Sequence, residues 1–208
     1  MDLSHQLNWR YVIKRNGPRI TEEKLDSIIH TIRSSATAFG LLPHTILLVR
    51  DRDQLQQISS LTDHQQVKKA THLIVFTAWT SIHKDNINEI IAHIAALNGL
   101  SLNNSSDYKT IMKLLVKIPD EVKLEWCTKQ AYIALGVGLM AAAKEQVDAT
   151  PVEEFKNKEL DRLLNIDHNG LSSVAMLALG QRDESGGKAR TAVIKPKKEK
   201  VLPFMIVN

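Results

Sequence analysis

The segment EWCTKQAYIALGVGLMAAAKEQ, residues 125–146, constrains the rest of the chain more than any other stretch. It is rich in Ala and apolar almost all round, with charge only near its start and end. Alanine is the strongest helix former, and a helix that is apolar on most faces must be buried on most faces. The remaining chain therefore has to supply elements that wrap one long helix. With 208 residues it can do so within a single domain, and we read residues 1–208 as one.

Those other elements are legible from their periodicity. TEEKLDSIIHTIRSSATA (21–38) puts Leu25, Ile28, Ile29 and Ile32 on one stripe, with Glu22 and Glu23 in the first turn, as an amphipathic helix requires. HTILLVR (44–50) reads as a buried strand, followed by a polar helix through DRDQLQQIS. THLIVFTAW (71–79) is a second strand, rich in β-branched and aromatic residues. Two further helices are expected over 85–98 and 105–117, and another over 157–166. HNG is a turn, and LSSVAMLALGQR (171–182) ends in a strand. Helices and strands interleave with too few strands for a regular βαβ series, so a mixed-sheet α+β domain is expected.

Composition excludes several function classes. The single cysteine, Cys127, rules out an internal disulfide and any multi-Cys metal site. No run approaches the roughly 20 apolar residues that span a bilayer, and the N-terminus lacks the blocks of a signal peptide. A cytoplasmic protein with no membrane partner is the expectation. The net charge is +4, with a strongly basic segment, KARTAVIKPKKEK (188–200), near the end. As a nucleic-acid patch it lacks any reading module or aromatic–basic interleaving, so no nucleic-acid partner is expected.

Chemical motifs are sparse. GVGLMA (136–141) satisfies the G-x-G-x-x-A pattern, but a dinucleotide turn needs a strand before it and a helix start after it. Here the glycines sit inside a helical run, where Gly136 and Gly138 are expected to let another helix approach closely. The eight histidines show no ligand spacing, so no metal is expected. His44, beside a strand start, could titrate usefully, but a lone His is usually a satisfied structural or surface group. Cys127, inside a helix, reads as a small core residue rather than a nucleophile. Asp120, Glu121 and Glu125 favour the start of the long helix. DATPVEEF (148–155) is either the exit loop of that helix or a loop whose backbone amides face a ligand, and composition does not choose between them.

Five segments, in order, resemble the nitroreductase family of FMN-dependent NAD(P)H oxidoreductases. LNWRYVIKRN (7–16) resembles its N-terminal flavin-phosphate segment, with Arg10 and Lys14 as an Arg-x-x-x-Lys core. SATAFGLLPHTILLV (35–49) resembles the family's SPSSFGLQPWxFxVV stretch. QQVKKATHLIVF (65–76) resembles the segment that opens the central strand. KQAYIALGVGLMAAAKEQVDATPVEEF (129–155) resembles the dimer-interface helix and the loop over the flavin. LALGQRDES with KAR resembles the last strand and the second phosphate cluster.

The resemblance implies a nitroreductase-like α+β fold: a central mixed, mainly antiparallel sheet packed by helices, in an intertwined homodimer with C-terminal strand exchange. The basic tail, about 188–208, would wrap the partner subunit. Arg10, Lys188 and Arg190 would meet at the FMN phosphate, with KPKKEK (195–200) as an alternative source of cations. Tyr11 and Val12 lie in the same segment, Val12 standing where a Ser often contacts the cofactor. Lys14 would reach the pyrimidine end of the flavin, and Gln66 the same ring edge. Pro151, Val152, Glu153 and Glu154 would lie over the ring, while Ala36, Thr37 and Ala38 would come from the partner subunit. The implied activity is electron transfer from NADH or NADPH to a small-molecule acceptor, a quinone or nitroaromatic, by a ping-pong mechanism. FMN would carry the chemistry, so no catalytic side chain is expected. Departures at Val12, Ala38, His44 and Glu154 (the family's common Gly position) leave a second reading: a flavin-binding or structural dimer with little turnover.

Overall fold

The structure is a computed structural model that describes residues 3–10, 13, 17–38, 42–82, 88 and 117–182. The helices expected over 85–98 and 105–117, and the tail from 183 onward, lie outside the described residues. In chain order the elements are α1 (Leu3–Trp9), α2 (Glu22–Arg33), β1 (His44–Val49), α3 (Arg52–Ser59), α4 (Gln65–Lys69), β2 (His72–Trp79), α5 (Asp120–Lys144), β3 (Asp148–Val152), α6 (Asn157–Leu163), a short 3-10 turn (Asp167–Asn169) and β4 (Leu171–Gly180).

The four strands form one sheet in the order β1-β2-β4-β3, and every neighbouring pair is antiparallel. The expected mixed sheet is thus wholly antiparallel among the described residues. β2 and β4 are central and almost entirely buried. Their side chains alternate between two helical layers, as a strand covered on both faces requires. Ile74, Phe76, Leu177 and Leu179 face a core built with α2 and α5. Leu73, Val75, Met176 and Ala178 face a second core with α3, α4 and α6. The two cores use opposite faces of the same strands, so a one-residue register slip would exchange them.

Local chemistry explains two of the element ends. Asp51 caps α3 by accepting from the backbone N–H groups of Asp53 at 3.1 Å and Gln54 at 2.9 Å. Gly170 closes the turn before β4 with φ +67°, a conformation that costs glycine nothing. Val174 is skipped in the β2–β4 register, where Phe76 pairs Ala175 and Thr77 pairs Ser173. This bulge turns the Val174 carbonyl toward the Tyr132 hydroxyl, 3.4 Å away.

Three sequence expectations need correction. β1 is not a buried strand but a half-buried one with an exposed Leu48, and among the described residues it has a neighbour on one side only. The segment 148–152 is not a loop but an edge strand, β3, paired with β4. An edge strand tolerates Pro151, which lacks an N–H to donate. The glycines of α5 also differ from each other. A Cβ at Gly138 would meet Ile32 Cδ1 at 3.1 Å and Leu177 Cδ2 at 3.2 Å, so Gly138 does permit close approach, whereas one at Gly136 would meet nothing within 4 Å. Gly136 belongs to a face of α5 that carries the exposed side chains of Val122, Tyr132, Ile133 and Met140. Among the described residues α5 is therefore packed by the sheet, α2 and α1, and this remaining face is left open.

Candidate functional site

Two stretches expected to meet at a cofactor are tied to β3. Ile13 donates its backbone N–H to Thr150 Oγ1 at 3.3 Å, and its side chain packs where a Cβ on Gly180 would stand, at 3.4 Å. Asp148, Thr150 and Val152 share one face of β3 by the period of a strand, so the N-terminal segment is fastened to the face that carries Val152.

Arg10 follows α1 directly. Its Nε is buried and has no hydrogen-bond partner, and burial pulls its pKa below the ordinary value. A half-buried cation with an unused, buried donor is stabilised when an anion reaches it. Tyr11, Val12, Lys14, Lys188 and Arg190 lie outside the described residues.

The other end of β3 is held by a second set of bonds. Thr62 Oγ1 donates to the Glu154 carbonyl at 2.7 Å and accepts from the His64 N–H at 3.2 Å. Lys156 donates its N–H to the Leu61 carbonyl at 3.0 Å. His64 Nε2 also lies 3.6 Å from the Glu154 carboxylate. The turn at 153–156 is thereby zipped to 61–64, directly before α4, the helix that carries Gln66. Val152 is buried, whereas Pro151, Glu153 and Glu154 are exposed. Glu153 lies beside Tyr132 of α5; burial first, and then that carboxylate, push the Tyr132 hydroxyl above its ordinary pKa.

Ala36, Thr37 and Ala38 are placed from α5 instead. The Ala38 N–H donates to Oε1 of the buried Gln130 at 2.8 Å. Ser35 Oγ, at the start of that segment, is buried without a partner, and so is His44 Nδ1. Burial lowers the His44 pKa, which favours the neutral ring and a structural role. Arg10, Ser35 and His44 hold the three buried, partnerless side-chain atoms among the described residues. Arg10 falls in the segment expected at the phosphate, where its unused donor fits an anion, and Ser35 and His44 fall in the segment expected to reach the flavin of the partner subunit.

Cys127 does not compete for the role. Burial pushes the Cys127 thiol up to about 12, leaving it protonated and unreactive. Among the described residues no group of three His, Cys, Asp or Glu side chains could hold a metal, and no helix is long and apolar enough to cross a membrane. An open groove between α3 and α6, lined by Gln57, Ser60, Leu61, Glu159, Arg162 and Leu163, contains none of the expected site residues.

One group was missed in the sequence. Arg182, two residues past β4, donates Nη2 to Asp148 Oδ1 at 2.6 Å and Nε to Oδ2 at 3.3 Å. Its Nη2 also donates to the Trp9 carbonyl at 3.3 Å, and the guanidinium lies 4.0 Å from the centre of the Trp9 ring. Asp148 is buried, and that burial holds its carboxyl above the usual range despite the opposing pull of Arg182. The available signal was a lone acid opening an apolar strand segment, which needs a cation from elsewhere in the chain.

Comparisons with known proteins bear on the family and the fold. The chain is 26% identical over 204 residues to the "Putative NAD(P)H nitroreductase YfkO" of Bacillus subtilis, covering 89% of this chain and 91% of that one. It is 23% identical over 191 residues to the major NAD(P)H-flavin oxidoreductase of Aliivibrio fischeri, covering 87% and 88%. Its fold matches a crystal structure of a "putative nitroreductase in complex with FMN" from Exiguobacterium sibiricum, with TM-score 0.76 and 13% identity over 91% of this chain and 92% of that one. The model of the nitroreductase family matches residues 15–181, four-fifths of the sequence, and the chain belongs to that family.

Proposed function

We propose that the protein is an FMN-dependent oxidoreductase that passes electrons from NADH or NADPH to a quinone or nitroaromatic acceptor. The observation that carries this reading is Arg10: a half-buried side chain whose buried Nε has no partner, tied through its neighbours to the strand that leads into Pro151–Glu154. A flavin phosphate is an anion suited to that donor, and Arg meets phosphate with bidentate geometry. The relatives named as NAD(P)H oxidoreductases and the FMN complex with the same fold support it.

When bound, FMN supplies the ring that accepts and returns a hydride. The chain binds, orients and shields it. Arg10 holds the phosphate, joined by Lys188 and Arg190 or by the lysines of 195–200. Lys14 and Gln66 stand at the pyrimidine edge, where a cation favours the charge that arrives on reduction. The backbone of 151–153 covers the ring, and the zipper to 61–64 fixes its height. Glu154 occupies a position where bulk would crowd the ring, but its carboxylate is turned toward His64.

A homodimer completes the site. The exposed Val122, Tyr132, Ile133 and Met140, with the bare backbone of Gly136, give α5 an apolar face suited to a second copy. The partner's α5 would then present Ala36, Thr37 and Ala38 at the ring, and the tail 188–208 would wrap across the partner. The acceptor follows the nicotinamide into the same pocket, which makes the kinetics ping-pong.

Anaerobic addition of NADH or NADPH to the FMN-loaded protein is expected to bleach the flavin band, and a quinone to restore it. A protein that binds FMN but never bleaches would contradict the oxidoreductase reading and leave the flavin-binding dimer. A colourless protein that takes up no FMN would contradict both.

A further inference from the structure

We propose that Arg182 is a positioning residue that sets Arg10 for the flavin phosphate, an inference that rests on the reading of Arg10 given above. The carbonyl held by Arg182 Nη2 belongs to Trp9, and it is one end of the peptide bond whose nitrogen is that of Arg10. Fixing that peptide plane fixes the N and Cα of Arg10, leaving rotation about the N–Cα bond as the one backbone freedom that aims its side chain.

The fork of Arg182 suits this task. Nε and Nη2 engage both oxygens of Asp148, and Nη2 reaches the Trp9 carbonyl, while the ring of Trp9 lies under the guanidinium. Three chain positions distant in sequence, the ends of α1 and β4 and the start of β3, are thereby locked at one point. A planar, five-donor guanidinium can make such a junction; a lysine ammonium cannot reproduce its geometry. Asp148 opposes the charge of Arg182 at 2.6 Å, so Arg182 is not a free cation for a phosphate. Its partners identify it as the brace and Arg10, with its unused Nε, as the ligand. Thr150 holds Ile13 from the same face of β3, which makes Asp148 and Thr150 two anchor points for the segment carrying Arg10.

The experiment compares FMN with riboflavin, which lacks the phosphate, by quenching of flavin fluorescence on titration with the apo full-length chain. R182K keeps a cation opposite Asp148, and the double variant D148N/R182Q replaces the ion pair with two amides, so neither leaves a lone buried charge. Thermal melts of the apo chains accompany the titrations. FMN dissociation constants are expected to rise about tenfold or more, the size of losing one charge-assisted hydrogen bond, with riboflavin changed less than about twofold. In an R10Q background the same changes at Arg182 are expected to add little, because the two residues act as a unit. Equal weakening of FMN and riboflavin, or full additivity with R10Q, would overturn the positioning role while leaving Arg10 as the phosphate ligand. If R10Q itself leaves the FMN-to-riboflavin ratio unchanged, Arg10 is not the phosphate ligand and both conclusions fall.

Discussion

The two ends of β3 are built on different physics. At its start, Asp148 is buried and paired with Arg182, whose side chain is 24% exposed, and the bonds run through charged side chains. At its end, the turn bearing Glu153 and Glu154 is held through main-chain groups: the Glu154 carbonyl by Thr62 and the Lys156 N–H by Leu61. The Glu154 side chain itself is 92% exposed. A region fastened through its backbone leaves its side chains free to vary, whereas one fastened through a buried ion pair does not. The proposed phosphate end is thus the rigid one, and the proposed ring end is where substrate choice can change without loss of fold.

Substitutions can break this contrast. Arg182→Met leaves Asp148 buried opposite nothing, and urea unfolding of the apo chain is expected to show a loss of about 3–5 kcal/mol. Thr62→Val removes a buried hydroxyl that both donates and accepts, and is expected to cost about 1–3 kcal/mol by the same measurement. A pH series sharpens the first end further. The folded Asp148 carboxyl sits above its ordinary value, so around and above about pH 4 the folded chain keeps a proton that the unfolded chain has released. Stability from this group therefore falls as pH rises through that window, and Asp148→Asn should flatten the slope of unfolding free energy against pH. Glu154→Gln is expected to change stability by less than about 0.5 kcal/mol, because exposed pairs contribute little. It should still alter the KM for the acceptor, read by steady-state kinetics. Equal stability losses from Arg182→Met and Glu154→Gln would erase the distinction between the ends.

The elements that carry a regular period were legible in the sequence. The stripe of Leu25, Ile28 and Ile32 and the alternating runs of β2 and β4 are single-element patterns, and the structure buries those side chains. What escaped depends on neighbours. The run ILLV of β1 looks the same whether one edge is paired or two, and only the topology makes it an edge strand. DATPV is five residues with a proline at the fourth, and its pairing with β4 is set by residues some thirty positions on. The junction of Trp9, Asp148 and Arg182 joins positions that no local spacing relates. The five ordered segments pointed to the family, but the matched range 15–181 ends short of the cation clusters on both sides. The roles of Arg10, Lys14, Lys188 and Arg190 therefore rest on resemblance and, for Arg10, on its buried and partnerless Nε.

Amide hydrogen exchange of the apo chain with and without FMN tests the placement of the site most directly. The account predicts slowed exchange in peptides spanning 10–13, 36–38 and 151–154 on FMN binding. Peptides of α3 and α6 that line the groove around Gln57 and Arg162 should not change. FMN binding that protects the groove and leaves 10–13 and 151–154 untouched would contradict it.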